Sequence, residues 1–193
     1  NMKKNLMEGS IAVLDFGGQY SHLICRRIRA LGVYASLISY DTPLDELQRL
    51  GVMGVILSGG PASVYAPSSP RPDARILEDR LPLLGICYGY QLMVEARGGE
   101  IKRATHREYG RATLTIADRS GIFAGIEDSK IACWMSHSDS PSRLPPSLKV
   151  IASSDNTPFA AVRTEEGHQF GVQFHPEVVH TQRGEKILSN FVF

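Results

Sequence analysis

The sequence changes its hydrophobic period within one residue at Cys87. Residues 82–86 form a short apolar run, the pattern of a buried strand, and residues 88–97 repeat their apolar side chains at helical spacing. A thiol therefore stands in a tight strand-to-helix turn. Gly85 and Gly89 flank it at two-residue spacing, as in a nucleophile elbow, where small neighbours permit a strained backbone that pushes a reactive side chain outward. Unpaired N–H groups and the dipole at a helix N-terminus favour thiolate over thiol. The same residues also suit a buried structural cysteine in a core strand.

Strand and helix patterns alternate from the start of the apolar sequence. Residues 11–16 read as a buried strand. Residues 20–31 place Leu23, Ile24, Ile28 and Leu31 on one helical face, leaving Arg26, Arg27 and Arg29 mostly to solvent. Residues 34–40 and 52–57 are the next strands. Between them Thr42 reads as a helix cap, with Pro43 in the first turn. This β-α-β-α-β series predicts an α/β fold, an open and mostly parallel sheet with helices on both faces.

Past the elbow helix, Gly98 and Gly99 end the helical pattern. Strands are expected at 100–103, 112–116 and 130–135, with Ser136, His137, Ser138 and Asp139 in a loop after the last of these. A further strand follows at 148–153. Residues 159–163 and 169–174 pair as an antiparallel hairpin across Glu165, Glu166 and Gly167. Residues 184–193 close the chain as an amphipathic helix with Ile187, Leu188 and Phe191 inward.

The hairpin's second strand runs straight into His175-Pro176-Glu177. A cysteine nucleophile needs a base that takes its proton and returns it to a leaving amine. Histidine does this near neutral pH, and a carboxylate on its other nitrogen fixes the tautomer. Cys87 and His175 both fall at the C-terminal ends of predicted strands, where open α/β sheets carry their sites. The turn Ser58-Gly59-Gly60-Pro61 contains neither G-x-x-x-x-G-K-S/T nor G-x-G-x-x-G, which leaves an oxyanion hole or a plain loop. His22, His106, His168 and His180 read as surface or hydrogen-bonding residues, and Cys25 and Cys133 as core thiols.

A chain of 193 residues suits one domain, here residues 10–193 after a tail at 1–9 in which Asn1 before Met2 resembles an expression scar. The formal charge of +1 offers no footprint for nucleic acid or an anionic membrane, so neither is expected as a partner. The three cysteines lack metal-ligand spacing and fit a reducing, cytoplasmic setting. No run approaches the length of a transmembrane helix.

Gly85-Ile86-Cys87-Tyr88-Gly89-Tyr90-Gln91, with Phe174-His175-Pro176-Glu177 far downstream, resembles the class I (triad) glutamine amidotransferases. Residues 15–20, 58–65, 107–110, 134–137 and 171–181 are similar, in the same order, to the amidotransferase domains of GMP synthetases. The resemblance implies a flavodoxin-like fold and L-glutamine hydrolysis through a γ-glutamyl thioester. Cys87 would be the nucleophile, His175 the base and Glu177 its orienting carboxylate. The N–H groups of Gly60 and Tyr88 would form the oxyanion hole, and Gln91, Ser136, His137, Ser138 and Asp139 would contact substrate. The family pattern H-G-D has Ser138 in its glycine position here, and a positive φ at a serine costs roughly 1 kcal/mol.

By the same resemblance the domain holds no metal or cofactor. ATP and Mg²⁺ belong to an ATP-pyrophosphatase (synthetase) domain, expected to lie outside this chain as a second domain or subunit, where ammonia converts XMP to GMP. The same triad also serves acceptors in anthranilate and carbamoyl-phosphate synthesis, although Trp134-Met135-Ser136-His137 and Asp15-Phe16-Gly17-Gly18-Gln19-Tyr20 favour the purine branch. A non-catalytic subunit that kept the fold is the remaining alternative, opposed by the intact cysteine, histidine and glutamate.

Overall fold

The computed structural model describes residues 9–78 and 81–193, side chains excepted at 104–107. The tail to residue 8 and the readings of His106 and Arg107 lie outside the described residues. The first half alternates as expected: β1 (Ile11–Asp15), α1 (Ser21–Ala30), β2 (Ala35–Ser39), α2 (Leu44–Leu50), β3 (Gly54–Leu57), β4 (Leu83–Ile86) and α3 (Tyr88–Ala96). The second half is β5 (Glu100–Ile116), β6 (Lys130–Arg143), β7 (Leu148–Ser153), β8 (Ala161–Thr164), β9 (Gln169–Val172) and α4 (Gly184–Val192).

All these strands join one sheet in the order β2-β1-β3-β4-β9-β8-β7-β5-β6. Pairings from β2 through to β9 are parallel, and those from β9 through to β6 are antiparallel. The antiparallel part is thus larger than the expected hairpin. That hairpin is present within it, β8 on β9, with Ala161 opposite Val172.

Strand alternation explains the two cores. In β1, Ile11 and Val13 face α1 and α4 and pack with Ile24, Ile28, Ile187 and Leu188. Ala12 and Leu14 face α2 and α3 and pack with Leu44, Leu47, Tyr88 and Leu92. Each such fully buried aliphatic side chain stabilises the fold by about 1.5–3 kcal/mol before the cost of ordering it.

Three local expectations are corrected. The α2 cap is not Thr42, whose hydroxyl donates to the Ser39 carbonyl. Pro43 takes the cap position without a side-chain bond, and the Leu44 N–H is accepted at 3.0 Å by Asp73, from a distant loop. The strands predicted at 100–103 and 112–116 are one continuous strand, β5, with a register shift between Arg103 and Glu108.

The third correction bears on the site. Ser136, His137, Ser138 and Asp139 lie not in a loop but inside β6, in register with β5, where His137 faces Glu108 and Asp139 faces Arg103. Alternation continues through them, burying His137, Asp139 and Pro141 in line with Ile131, Cys133 and Met135. Ser138 has no positive φ, so the strain considered for it does not arise.

Candidate active site

Cys87 is the cap residue of α3 and adopts φ 53 and ψ −105, outside the regions ordinary L-residues favour. Its N–H is held by the Val172 carbonyl of β9 at 2.8 Å, so the turn is locked between two strands. The flanking glycines serve close approach rather than unusual dihedrals. A Cβ on Gly85 would lie 2.7 Å from the Gly89 carbonyl oxygen, and one on Gly89 would lie 2.5 Å from that of Leu57. Helix α3 therefore rises directly off the sheet, and the thiol sits at its N-terminal end where the first N–H groups have no intrahelical acceptors.

His175 follows β9 and shares strand parity with Gln173. Its Nδ1 donates to Glu177 Oε1 at 2.6 Å, which leaves Nε2 for the Cys87 sulfur within hydrogen-bonding reach. Burial alone would push the imidazole toward its neutral form. The Glu177 carboxylate and the Cys87 sulfur outweigh that effect and hold His175 well above the ordinary histidine value. Glu177 is 1% exposed, and its other oxygen has no hydrogen-bond partner among the described residues, so its charge is directed at the imidazole.

The segment carrying the pair is tied down on several sides. The His175 N–H donates to the Trp134 carbonyl, Thr181 Oγ1 donates to the His175 carbonyl at 2.7 Å, and Arg27 Nε donates to the Glu177 carbonyl at 2.9 Å. Arg27, exposed as the sequence reading expects, nonetheless ties down this turn through its Nε. The Tyr20 ring meets the His175 ring edge-on at 5.2 Å.

These groups open onto a cavity of about 360 Å³, suited to a small polar molecule. Gly60, Tyr88, Gln91, Ser136, His137, Ser138 and Asp139, all anticipated from sequence, line it together with Cys87 and His175. Glu177 stands behind His175. The turn after β3 reaches the chemistry closely: a Cβ on Gly59 would lie 3.1 Å from His175 Cε1 and 3.6 Å from Cys87 Cβ.

Three of the anticipated binding residues are occupied by protein partners. Gln91 Nε2 donates to the Asp139 carbonyl at 2.8 Å, and the Asp139 carboxylate accepts from Ser63 Oγ at 2.8 Å and Tyr65 Oη at 2.9 Å. His137 Nδ1 also meets the Asp139 carbonyl, at 2.9 Å. Burial pushes the His137 imidazole below the usual value, against the nearby Glu108 carboxylate.

Gln173, Ser63, Tyr65 and Thr181 lie within the matched segments 58–65 and 171–181 but were given no individual role from sequence. Gln173 Nε2 donates toward Cys87 Sγ at 3.6 Å, and the thiol in turn points at the Ser136 carbonyl at 3.6 Å. Parity was the available signal for Gln173, since residues 173 and 175 share a face. Ser63, Tyr65 and Thr181 meet the site only through the tertiary fold. Among the described residues no cluster of three or more His, Cys, Asp or Glu side chains could hold a metal ion.

A thiol in a strained elbow at the foot of a polar cavity, with a histidine–carboxylate pair against it on an open α/β sheet, defines a cysteine-triad amidotransferase architecture. The chain belongs to the class-I glutamine amidotransferase family, whose sequence profile matches residues 12–193. Among curated relatives, the glutamine-hydrolyzing GMP synthase of Gloeobacter violaceus is 48% identical over 191 residues, covering 99% of this chain and 34% of that protein. The glutamine-hydrolyzing GMP synthase of Aquifex aeolicus is 47% identical over 184 residues, 95% of this chain and 36% of that protein. The chain thus spans about a third of the length of these relatives.

A solved Thermoplasma acidophilum protein, assigned as one of the subunits of a GMP synthase, superposes with a TM-score of 0.82 at 32% identity, covering 95% of this chain and 92% of that one. A glutamine amidotransferase of Thermotoga maritima shares the fold at a TM-score of 0.68 and 19% identity, over 88% of this chain and 76% of its own.

Proposed function

We propose that this chain hydrolyses L-glutamine to glutamate and ammonia, and that the ammonia serves a GMP-forming synthetase partner. The observation that carries the reading is the buried Cys87–His175–Glu177 constellation opening onto the cavity. The Cys87 thiolate attacks the glutamine carboxamide carbon, and the resulting oxyanion is met by the N–H groups of Gly60 and Tyr88. As the C–N bond breaks, His175 gives its proton to the departing ammonia. It then takes a proton from the water that attacks the thioester, and glutamate and free Cys87 result. Glu177 holds the imidazole in place and balances its charge. Gln173 supports the thiolate through its side-chain amide.

The zwitterionic end of glutamine fits the polar wall that contains Gln91, Ser136, His137, Ser138 and Asp139. Because Gln91 and the Asp139 carboxylate already bond within the protein, substrate contact there falls to main-chain groups and to their remaining lone pairs. The purine assignment rests on the GMP synthase relatives. In this reading ATP and Mg²⁺ act on the synthetase, not in this domain. Free thiols and such a substrate fit the cytoplasm, and no helix among the described residues is long and apolar enough to cross a membrane.

The decisive assay is glutamate release by the wild-type chain, Cys87→Ala and His175→Ala, each with and without a GMP synthetase ATP-pyrophosphatase domain and its substrates. Slow hydrolysis by the wild type alone, stimulation by the partner, and loss in both variants are expected. Hydrolysis that survives Cys87→Ala would refute the thioester route, and stimulation equally well by an unrelated synthetase would refute the purine assignment.

A further inference from the structure

We propose that Tyr65, whose ring is outside the cavity, is a positioning residue: its hydroxyl and that of Ser63 clasp the Asp139 carboxylate and thereby hold the Gly59–Gly60 turn against Cys87. The inference rests on the glutaminase reading and adds a component to it.

Residues 61–65 belong to no helix or strand, yet Pro61, Ala62 and Ser63 line the cavity together with residues of β6. The two walls differ in how they are held. Asp139 sits in the β5–β6 ladder, and its carbonyl is further fixed by Gln91 and His137. The 61–65 segment has no ladder. Its upstream end is the Gly59–Gly60 turn, packed so closely on Phe16 and Gly18 that a Cβ on Gly60 or Gly18 would strike backbone across the contact. Its downstream end is held by the buried side chain of Val64, by Arg71 and Ser69 donating to the Val64 carbonyl, by the Ala66 N–H donating to the Ser63 carbonyl, and by the two bonds to Asp139, which are the ones that reach β6.

Burial of Val64 is non-directional, and the bonds to its carbonyl come from the following turn, so neither fixes the segment against β6. Hydrogen bonds to a carboxylate are short and directional, and they fix the segment laterally against the strand. No cation is paired with Asp139 among the described residues, so the two hydroxyls are the groups that satisfy this 8%-exposed carboxylate. Tyr65 is 56% exposed and its ring does not line the cavity, so the oxygen is the part of the side chain that reaches the site. When the clasp opens, the mobile member is the loop, and the group displaced is the Gly60 N–H that meets the oxyanion. That interaction exists in the transition state and not with ground-state substrate.

The test compares wild type, Tyr65→Phe, Ser63→Ala and Ser63→Thr in two reactions of the same thiol. Glutamine hydrolysis, measured with the synthetase domain present, passes through an oxyanion. Alkylation by iodoacetamide is a direct displacement by sulfur at carbon and forms none. Tyr65→Phe and Ser63→Ala are expected to lower kcat about tenfold with KM changed by less than about threefold. Their alkylation rates should match wild type, and Ser63→Thr, which keeps the hydroxyl, should restore kcat. Wild-type kcat in Tyr65→Phe overturns the clasp while leaving the glutaminase reading intact. A parallel fall in alkylation also overturns it, because the effect is then a general loosening of the site. A wild-type chain that hydrolyses no glutamine overturns the underlying reading and the clasp with it.

Discussion

At the scale of single residues, the site's most demanding feature is the backbone of Cys87. A β-carbon at φ 53 costs about 1–3 kcal/mol, which the rest of the fold must offset. Glycine carries no such penalty. Cys87→Gly is therefore expected to be more stable than Cys87→Ala by roughly 1 kcal/mol, read as a higher urea midpoint, although both lack the thiol. An equal or lower midpoint for the glycine variant would show that the elbow is not strained.

The His175–Glu177 pair makes a second residue-scale prediction, about pH. Because Glu177 holds the folded-state histidine above its unfolded value of about 6.5, the pair's stabilisation is fully present below that pH and declines as pH rises through the folded value. Glu177→Gln removes the carboxylate and leaves burial to lower the imidazole's proton affinity. The stability gap between wild type and Glu177→Gln should be widest near pH 6 and shrink by pH 9, as measured by urea unfolding at both. NMR of the ring nitrogens should show imidazolium persisting above neutral pH in wild type and lost at lower pH in the variant.

At the scale of elements, α3 and β6 show what a single sequence discloses. The elbow helix was legible because its signals are local: an apolar run, a change of period and two glycines around one thiol. Gly89→Ala tests the packing side of that reading. The added methyl meets the Leu57 backbone, which cannot rotate away, and a loss of about 3 kcal/mol with a lower melting temperature is expected. A change below about 0.5 kcal/mol would mean that α3 can lift off the sheet.

Strand β6 was legible only as far as Met135. Beyond it Ser136, His137, Ser138 and Asp139 have the composition of a loop, and what keeps them extended comes from elsewhere in the chain. Glu108 and Arg103 face them across the ladder, and Gln91, Ser63 and Tyr65 satisfy their polar groups. The α2 cap failed from sequence for the same reason, since Asp73 reaches it from a distant loop. Cys87, His175 and Glu177, which the structure brings together, could be picked out because each lies in a short motif, whereas the clasp on Asp139 joins residues that no local pattern connects.

At the scale of the whole molecule, the cavity gathers the ends of β1, β3, β4 and β9, together with the middle of β6. A ligand that bridges these elements should stabilise the fold as a unit. With turnover blocked in Cys87→Ala, L-glutamine at about a hundred times its dissociation constant is expected to add about 2.7 kcal/mol of unfolding free energy, seen as a rise in melting temperature. D-glutamine, whose zwitterionic end cannot meet the same wall, should add little. Equal shifts from both enantiomers would place the amino-acid end outside the cavity.

The position of β9, the last strand in sequence yet a direct neighbour of β4, gives the molecule a built-in order of events during synthesis. A nascent chain that has emerged only through α3 already contains Cys87, but not the Val172 carbonyl that locks its turn or the imidazole that serves it. Until the ribosome has delivered that final strand, the thiol is one more ordinary cysteine. The geometry around Cys87 is therefore assembled only when β9 takes its place beside β4.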